Sequence, residues 1–174
     1  LGKLALESVL VAWSLIEDYD LVMGQRIAFY LPNDYRATAW IEAAKRVGLP
    51  YIAVASGTAG SSLADRIMDT TSTVLVTSDG LVVTAQQALA LPTAPPKVVV
   101  IPSCATTIGG CGVSTDVLLR ARERLLQASD GMTAESLPPN RLIRALWRLT
   151  PPTPVDACFP PFILYTPGAS GTPT

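Results

Sequence analysis

The chain has 174 residues, a formal net charge of −1, and 16% charged against 49% apolar residues. That length supports one domain with a substantial core. The near-balanced charge excludes the basic excess of a nucleic-acid binder, and no run of about 18 apolar residues offers a membrane-spanning helix.

The first twenty residues place Leu6, Val9, Leu10, Trp13 and Ile16 at helical spacing, which predicts an amphipathic helix with one apolar face. Gly24 falls where the chain must turn. Arg26 to Pro32, RIAFYLP, is a run of β-formers closed by proline and predicts a buried strand. Asn33 or Asp34 can cap a helix running to about Val47, with Trp40, Ile41, Ala44 and Val47 toward the core and Gly48 as its stop. Tyr51 to Ala55 is the next strand. A glycine-rich turn and a short helix from about Ser61 to Asp69 follow, then a strand from Thr73 to Thr77 ended by Ser78-Asp79-Gly80. VVTAQQALAL, from Val82, is ambiguous between a helical turn and a short helix. KVVVIP, Lys97 to Pro102, is the clearest strand.

Beyond Pro102 the pattern is less regular. Helices are predicted from about Asp116 to Ala128 and from about Arg141 to Leu149. The proline-rich TPPTPVDACFPP is irregular, and a last strand runs from Phe162 to Tyr165. Strands alternating with helices at this spacing predict βαβ units, hence an α/β fold with a layered parallel sheet and flanking helices.

Histidine is absent, which excludes Ser-His and Cys-His nucleophilic sites and histidine-ligated metal within these residues. The odd count of three cysteines, Cys104, Cys111 and Cys158, with no secretory leader, predicts free thiols in a reducing cytoplasm. A start at Leu1 is what a piece of a longer polypeptide would show. Asp65, Arg66 and Asp69 read as an exposed, ion-paired helix face, and Arg141, Arg144 and Arg148 as a solvated stripe.

FILYTPGASGTPT, Phe162 to Thr174, is an apolar run opening into a Gly/Ser/Thr/Pro loop. Such loops suit phosphate because unpaired backbone N–H groups and hydroxyls point at the anion. No G-x-x-x-x-G-K-[ST] pattern occurs.

GQRIAFYLPN (Gly24 to Asn33), EAAKRVGLPYIAV (Glu42 to Val54) and SSLADRIMDTTSTVLVTSDG (Ser61 to Gly80) come in the order found in one family. Together with the final loop they resemble the N-terminal part of the AMP-forming acyl-CoA synthetases of the adenylate-forming superfamily. The L-A-D-R-I stretch is similar to the acetyl- and propionyl-CoA branch. The resemblance covers residues 24 to 80 and 162 to 173, and is weaker between. It implies a ligase in which a carboxylate attacks ATP, with Mg²⁺, to give an acyl-adenylate that CoA then cleaves. It places the phosphate loop at Thr166, Gly168, Ser170, Gly171 and Pro173.

Three residues depart from the family loop: Pro167 removes an N–H, Ala169 a hydroxyl, and Thr174 stands where a lysine is expected. Two readings follow. The chain is an incomplete N-terminal segment of a short-chain acyl-CoA synthetase, inactive alone. Alternatively it is a degenerate, non-catalytic structural or docking module of a larger multidomain acyl-CoA enzyme. In either, residues 1–161 form the α/β scaffold and 162–174 a strand with a degenerate phosphate-loop-like tail. The remainder of the polypeptide is the expected partner, the carboxylic acid is the parent enzyme's substrate, and neither nucleic acid nor membrane is expected.

Overall fold

The structure, a computed structural model, describes residues 2–90, 96–101, 123 and 162–163. Its elements are α1 (Gly2–Glu17), β1 (Ile27–Leu31), α2 (Tyr35–Arg46), β2 (Tyr51–Ala55), α3 (Gly60–Thr70), β3 (Val74–Ser78), α4 (Val82–Leu89), β4 (Lys97–Ile101) and β5 (Phe162–Ile163). All five strands pair in parallel in the order β4-β3-β1-β2-β5. The α/β fold expected from the alternation of elements is the fold observed.

Two apolar layers cover the sheet. On one face α1 and α2 pack over Ile27, Phe29 and Leu31 of β1 and Val74 and Val76 of β3. On the other, Leu63, Ala64 and Ile67 of α3 and Ala85 and Ala88 of α4 pack over Ala28, Tyr30, Ile52, Val54 and Leu75. The split follows from the pleat: alternate residues of a strand point to opposite faces. Each fully buried Leu, Ile or Val side chain contributes about 1.5–3 kcal/mol. β1 and β3 are buried at every position, as strands covered on both faces must be.

α1 differs from the one-faced amphipathic helix expected. Every residue from Glu7 to Leu15 is buried, whereas Ile16, expected on the apolar face, is 37% exposed. The run SVLVAWSL is apolar on all sides, and its two serines fit burial. The Ser8 hydroxyl donates to the Ala5 carbonyl at 3.1 Å and the Ser14 hydroxyl to Asp18 Oδ2 at 2.6 Å.

The turn into β1 uses Asp20 (φ 55°) and Gly24 (φ 90°) in the left-handed region, and the Gly24 N–H donates to the Gly48 carbonyl at 3.0 Å. Gly48, at φ 69°, ends α2 as expected. Asp34 is the N-cap of α2, its carboxylate accepting from the backbone N–H groups of Arg36 and Ala37. Trp40, Ala44 and Val47 are buried and Ile41 packs partly against them. The ambiguous segment from Val82 is helical to Leu89 as α4, and a 3₁₀ turn, Asp79–Leu81, precedes it. Strand limits move by one residue: β1 begins at Ile27, β3 at Val74, and β4 ends at Ile101. Arg26 Nη1 reaches the Thr70 carbonyl at 2.9 Å and also donates to the Thr71 hydroxyl, placing a cation at the carbonyl end of α3. The expected helices at 116–128 and 141–149 lie outside the described residues, save Glu123, which is helical and exposed.

Candidate functional site at the carboxyl edge of the sheet

Parallel strands bring their carboxyl ends to one edge, and in doubly wound sheets ligands bind there, where successive connections leave toward opposite faces. Here α2 follows β1 on one face, while α4 follows β3 on the other. The crevice between β1 and β3 is therefore the topological switch point. Its rim is built from Pro32 to Asp34, Ser78 to Gly80 and, one strand further, Ser56 to Ala59.

Each rim segment is held by a specific contact. The Tyr30 side chain is 1% exposed, and its hydroxyl lies 3.0 Å from both the Ser56 and Thr58 carbonyls, tying β1 to the loop after β2. Asp34 Oδ2 accepts from Arg36 Nε at 2.9 Å and Nη2 at 2.7 Å, a forked ion pair at the mouth of α2. Burial raises the Asp34 carboxyl pKa. The Arg36 side-chain hydrogen bond, the Ala37 N–H and the remaining Arg36 interactions outweigh that and hold it below its ordinary value. Asp79 Oδ1 accepts from the Gly80 N–H at 2.8 Å, starting the turn after β3. Thr77 and Ser78 are buried beneath this turn. Gly57 and Gly80 both face open space. Gly60 faces α4 instead: a Cβ there would lie in ordinary contact, 3.5 Å from the Thr84 carbonyl oxygen.

Thr166, Gly168, Ser170 and Gly171, the expected phosphate-loop positions, lie outside the described residues, as do Pro167 and Thr174. What is described is the strand before them. β5 runs parallel to β2, with Phe162 opposite Tyr51 and Ile163 opposite Ile52, so it points in the same direction as the other strands. β5 flanks β2 rather than the β1/β3 crevice. Sequence reasoning marked Asp34 as a cap but missed its pairing with Arg36, and missed the Tyr30 bridge. The first was legible as a D-x-R step at a helix start. The second joins positions 28 residues apart and had no local signal. Among the described residues no group of three or more His, Cys, Asp or Glu side chains could hold a metal ion, and no helix is long and apolar enough to cross a membrane.

No protein-family model matches the chain. It is similar to curated acetyl-coenzyme A synthetases: that of Pyrobaculum aerophilum is 29% identical over 94% of this chain. That of Pyrobaculum arsenaticum is 31% identical over the same share, and that of Mycobacterium tuberculosis 28% identical over 97%. The chain spans only 23–24% of the length of these relatives. In three dimensions it matches an acyl-CoA synthetase of Brucella canis with a TM-score of 0.52 at 19% identity, over 68% of this chain and 21% of that one. The resemblance carried by the motifs therefore extends along nearly the whole chain, and the parallel sheet with its flanking helices is a fold shared with an acyl-CoA synthetase.

Proposed function

We propose that this chain is the N-terminal segment of a short-chain, AMP-forming acid–CoA ligase, incomplete and inactive by itself. The observation that carries this reading is its alignment, over almost its entire length, with about a quarter of several acetyl-coenzyme A synthetases. The motif order and the L-A-D-R-I stretch support an acetate or propionate substrate. ATP, Mg²⁺ and CoA belong to that reading. When bound, the nucleotide supplies an activated phosphoryl centre for the carboxylate, in a cytoplasmic, multidomain protein.

The chain's own contribution is a rigid platform. The sheet presents its carboxyl edge, and Tyr30 and the Asp34–Arg36 pair fix the rim loops. Residues 1–161 are the scaffold and 162–174 carry the loop, with Thr166, Gly168, Ser170 and Gly171 as its phosphate-facing positions. Pro167, Ala169 and Thr174 favour a second reading, a degenerate structural or docking module, because a triphosphate cradle without its cation and two donors loses several charge-assisted hydrogen bonds of about 1.5–3 kcal/mol each.

Acetate- or propionate-dependent ATP–pyrophosphate exchange separates the two. The first reading expects none from residues 1–174 alone and clear exchange from a longer polypeptide that contains them. Folded longer polypeptide without exchange, even after P167S and A169S, would establish the docking module instead.

A further inference from the structure

The turn that closes β3, on the rim of the crevice, sets a carboxyl group against the backbone amide of the next residue. Asp79 and Gly80 are adjacent in sequence and both are exposed to solvent. The Gly80 N–H donates to Asp79 Oδ1 at 2.8 Å, which holds the amide nitrogen beside its neighbour's carboxyl group. That nitrogen lies outside the β3 ladder, which ends at Ser78. The 3₁₀ turn is closed by a different bond, from the Val82 N–H to the Asp79 carbonyl. A reaction at the Gly80 nitrogen therefore gives up no strand or helix hydrogen bond.

Glycine matters here for access to its nitrogen. With no Cβ of its own, it shields that nitrogen less than any other residue would. The surroundings add no shield either, because a Cβ built at Gly80 would meet nothing within 4 Å. Asp69, on the same stretch of chain, supplies the contrast. It too is exposed, but it lies in the last turn of α3, and its successor, Thr70, is branched at Cβ and 4% exposed.

We propose that Asp79–Gly80 is a self-modification site, at which the folded chain converts its own aspartyl linkage into an isoaspartyl one. The Gly80 nitrogen bonds to Cγ of the protonated Asp79 side chain. The bond from Cγ to the hydroxyl breaks, and the hydroxyl leaves as water with the proton released from nitrogen, closing a cyclic imide. Water then opens the imide. Attack at the side-chain carbonyl restores the original linkage. Attack at the main-chain carbonyl leaves Gly80 joined through Cγ, with the α-carboxylate of Asp79 as the pendant group. The water lost in the first step is regained in the second, so no oxidant, reductant or cofactor is consumed.

The isoaspartyl product carries one more backbone methylene between β3 and α4. Thr77 and Ser78 before it are buried, and Ala85 and Ala88 after it are packed in the core. The turn between them therefore takes up the extra length, and the rim of the β1/β3 crevice changes shape. This chemistry needs only the peptide, water and the turn, and is independent of the catalytic reading above.

Incubating the folded full chain in heavy-oxygen water at neutral pH, then digesting it with trypsin in ordinary water, tests the proposal. Ile67 to Lys97 is one tryptic peptide that holds both Asp69 and Asp79, whereas the other Asp-Gly pair of the sequence, Asp130-Gly131, falls in a different peptide. Electron-transfer fragmentation places each heavy oxygen and distinguishes the isoaspartyl linkage from the original. Heavy oxygen is expected to accumulate at Asp79 together with the isoaspartyl linkage, and to be absent from Asp69. G80A should cut the uptake several-fold without lowering Tm, since its Cβ enters open space. A synthetic peptide of residues 74–84 supplies the rate in the absence of the fold. The proposal is overturned if that peptide reacts while Asp79 of the folded chain stays unmodified. Uptake at Asp79 no faster than at Asp69, or unchanged in G80A, overturns it as well.

Discussion

β1 and β2 are neighbouring parallel strands of five residues each, and both are made of β-formers and alanine. β1 is buried at all five positions, whereas β2 alternates. Strand propensity cannot separate them. The difference lies in what is packed above: β1 sits under α1 and α2 on one side and α3 and α4 on the other, while on the α1/α2 side β2 is covered only at Tyr51, and Ala53 and Ala55 are exposed. Burial in a layered sheet is a property of strand order, because the order decides which crossover passes over which strand.

The sharpest way to break the contrast is truncation in β1. F29A is expected to cost about 3–5 kcal/mol in urea unfolding, since a ring lost from a two-sided core leaves a cavity. Y30F should cost about 1 kcal/mol, the worth of the hydroxyl bridge to Ser56 and Thr58. It should also raise amide exchange in the 56–58 loop, which a purely apolar role would not do. On β2, A53G at the exposed Ala53 should cost about 0.5–1 kcal/mol through backbone entropy alone.

The rim offers a pH test. Because the Asp34 pKa is lowered in the folded state, its contribution is present above the ordinary carboxylate range and is lost as pH falls through the lowered folded value. Wild type should therefore lose stability on acidification over a window that D34A lacks. At neutral pH D34A should cost about 1 kcal/mol through the lost helix cap. The smallest effect is expected at the exposed Lys45–Glu42 pair, 2.8 Å apart and over two-fifths exposed on each side. K45A should change stability by at most about 0.5 kcal/mol and less still in high salt.

Much of the scaffold was readable because its signals are local. RIAFYLP and KVVVIP are short apolar runs bounded by proline, and Asp34 and Gly48 bracket α2 with recognisable cap chemistry. Boundaries slipped where a polar residue at a strand end could belong to either side, as at Thr73, which bonds to the Arg26 carbonyl rather than starting β3. The all-round burial of α1 was less legible, because a helix that is apolar on most sides still contains a stripe at helical spacing. The candidate site divided in the same way. The cap at Asp34 is local, but the rim depends on the sheet order that sets the β1/β3 crevice beside the Tyr30 bridge. That order comes from how all the strands pair with one another and is written in no single segment.

The Arg26 contact carries a consequence for how this sheet assembles. One guanidinium group joins the start of β1 to a carbonyl 44 positions later, and β1, α2, β2 and α3 must all be in place before the two can meet. A clasp of such long sequence separation is expected to form late in folding. Removing it with R26A should leave the folding rate almost unchanged and accelerate unfolding, so that this one side chain governs how long the folded domain lasts rather than how quickly it is reached.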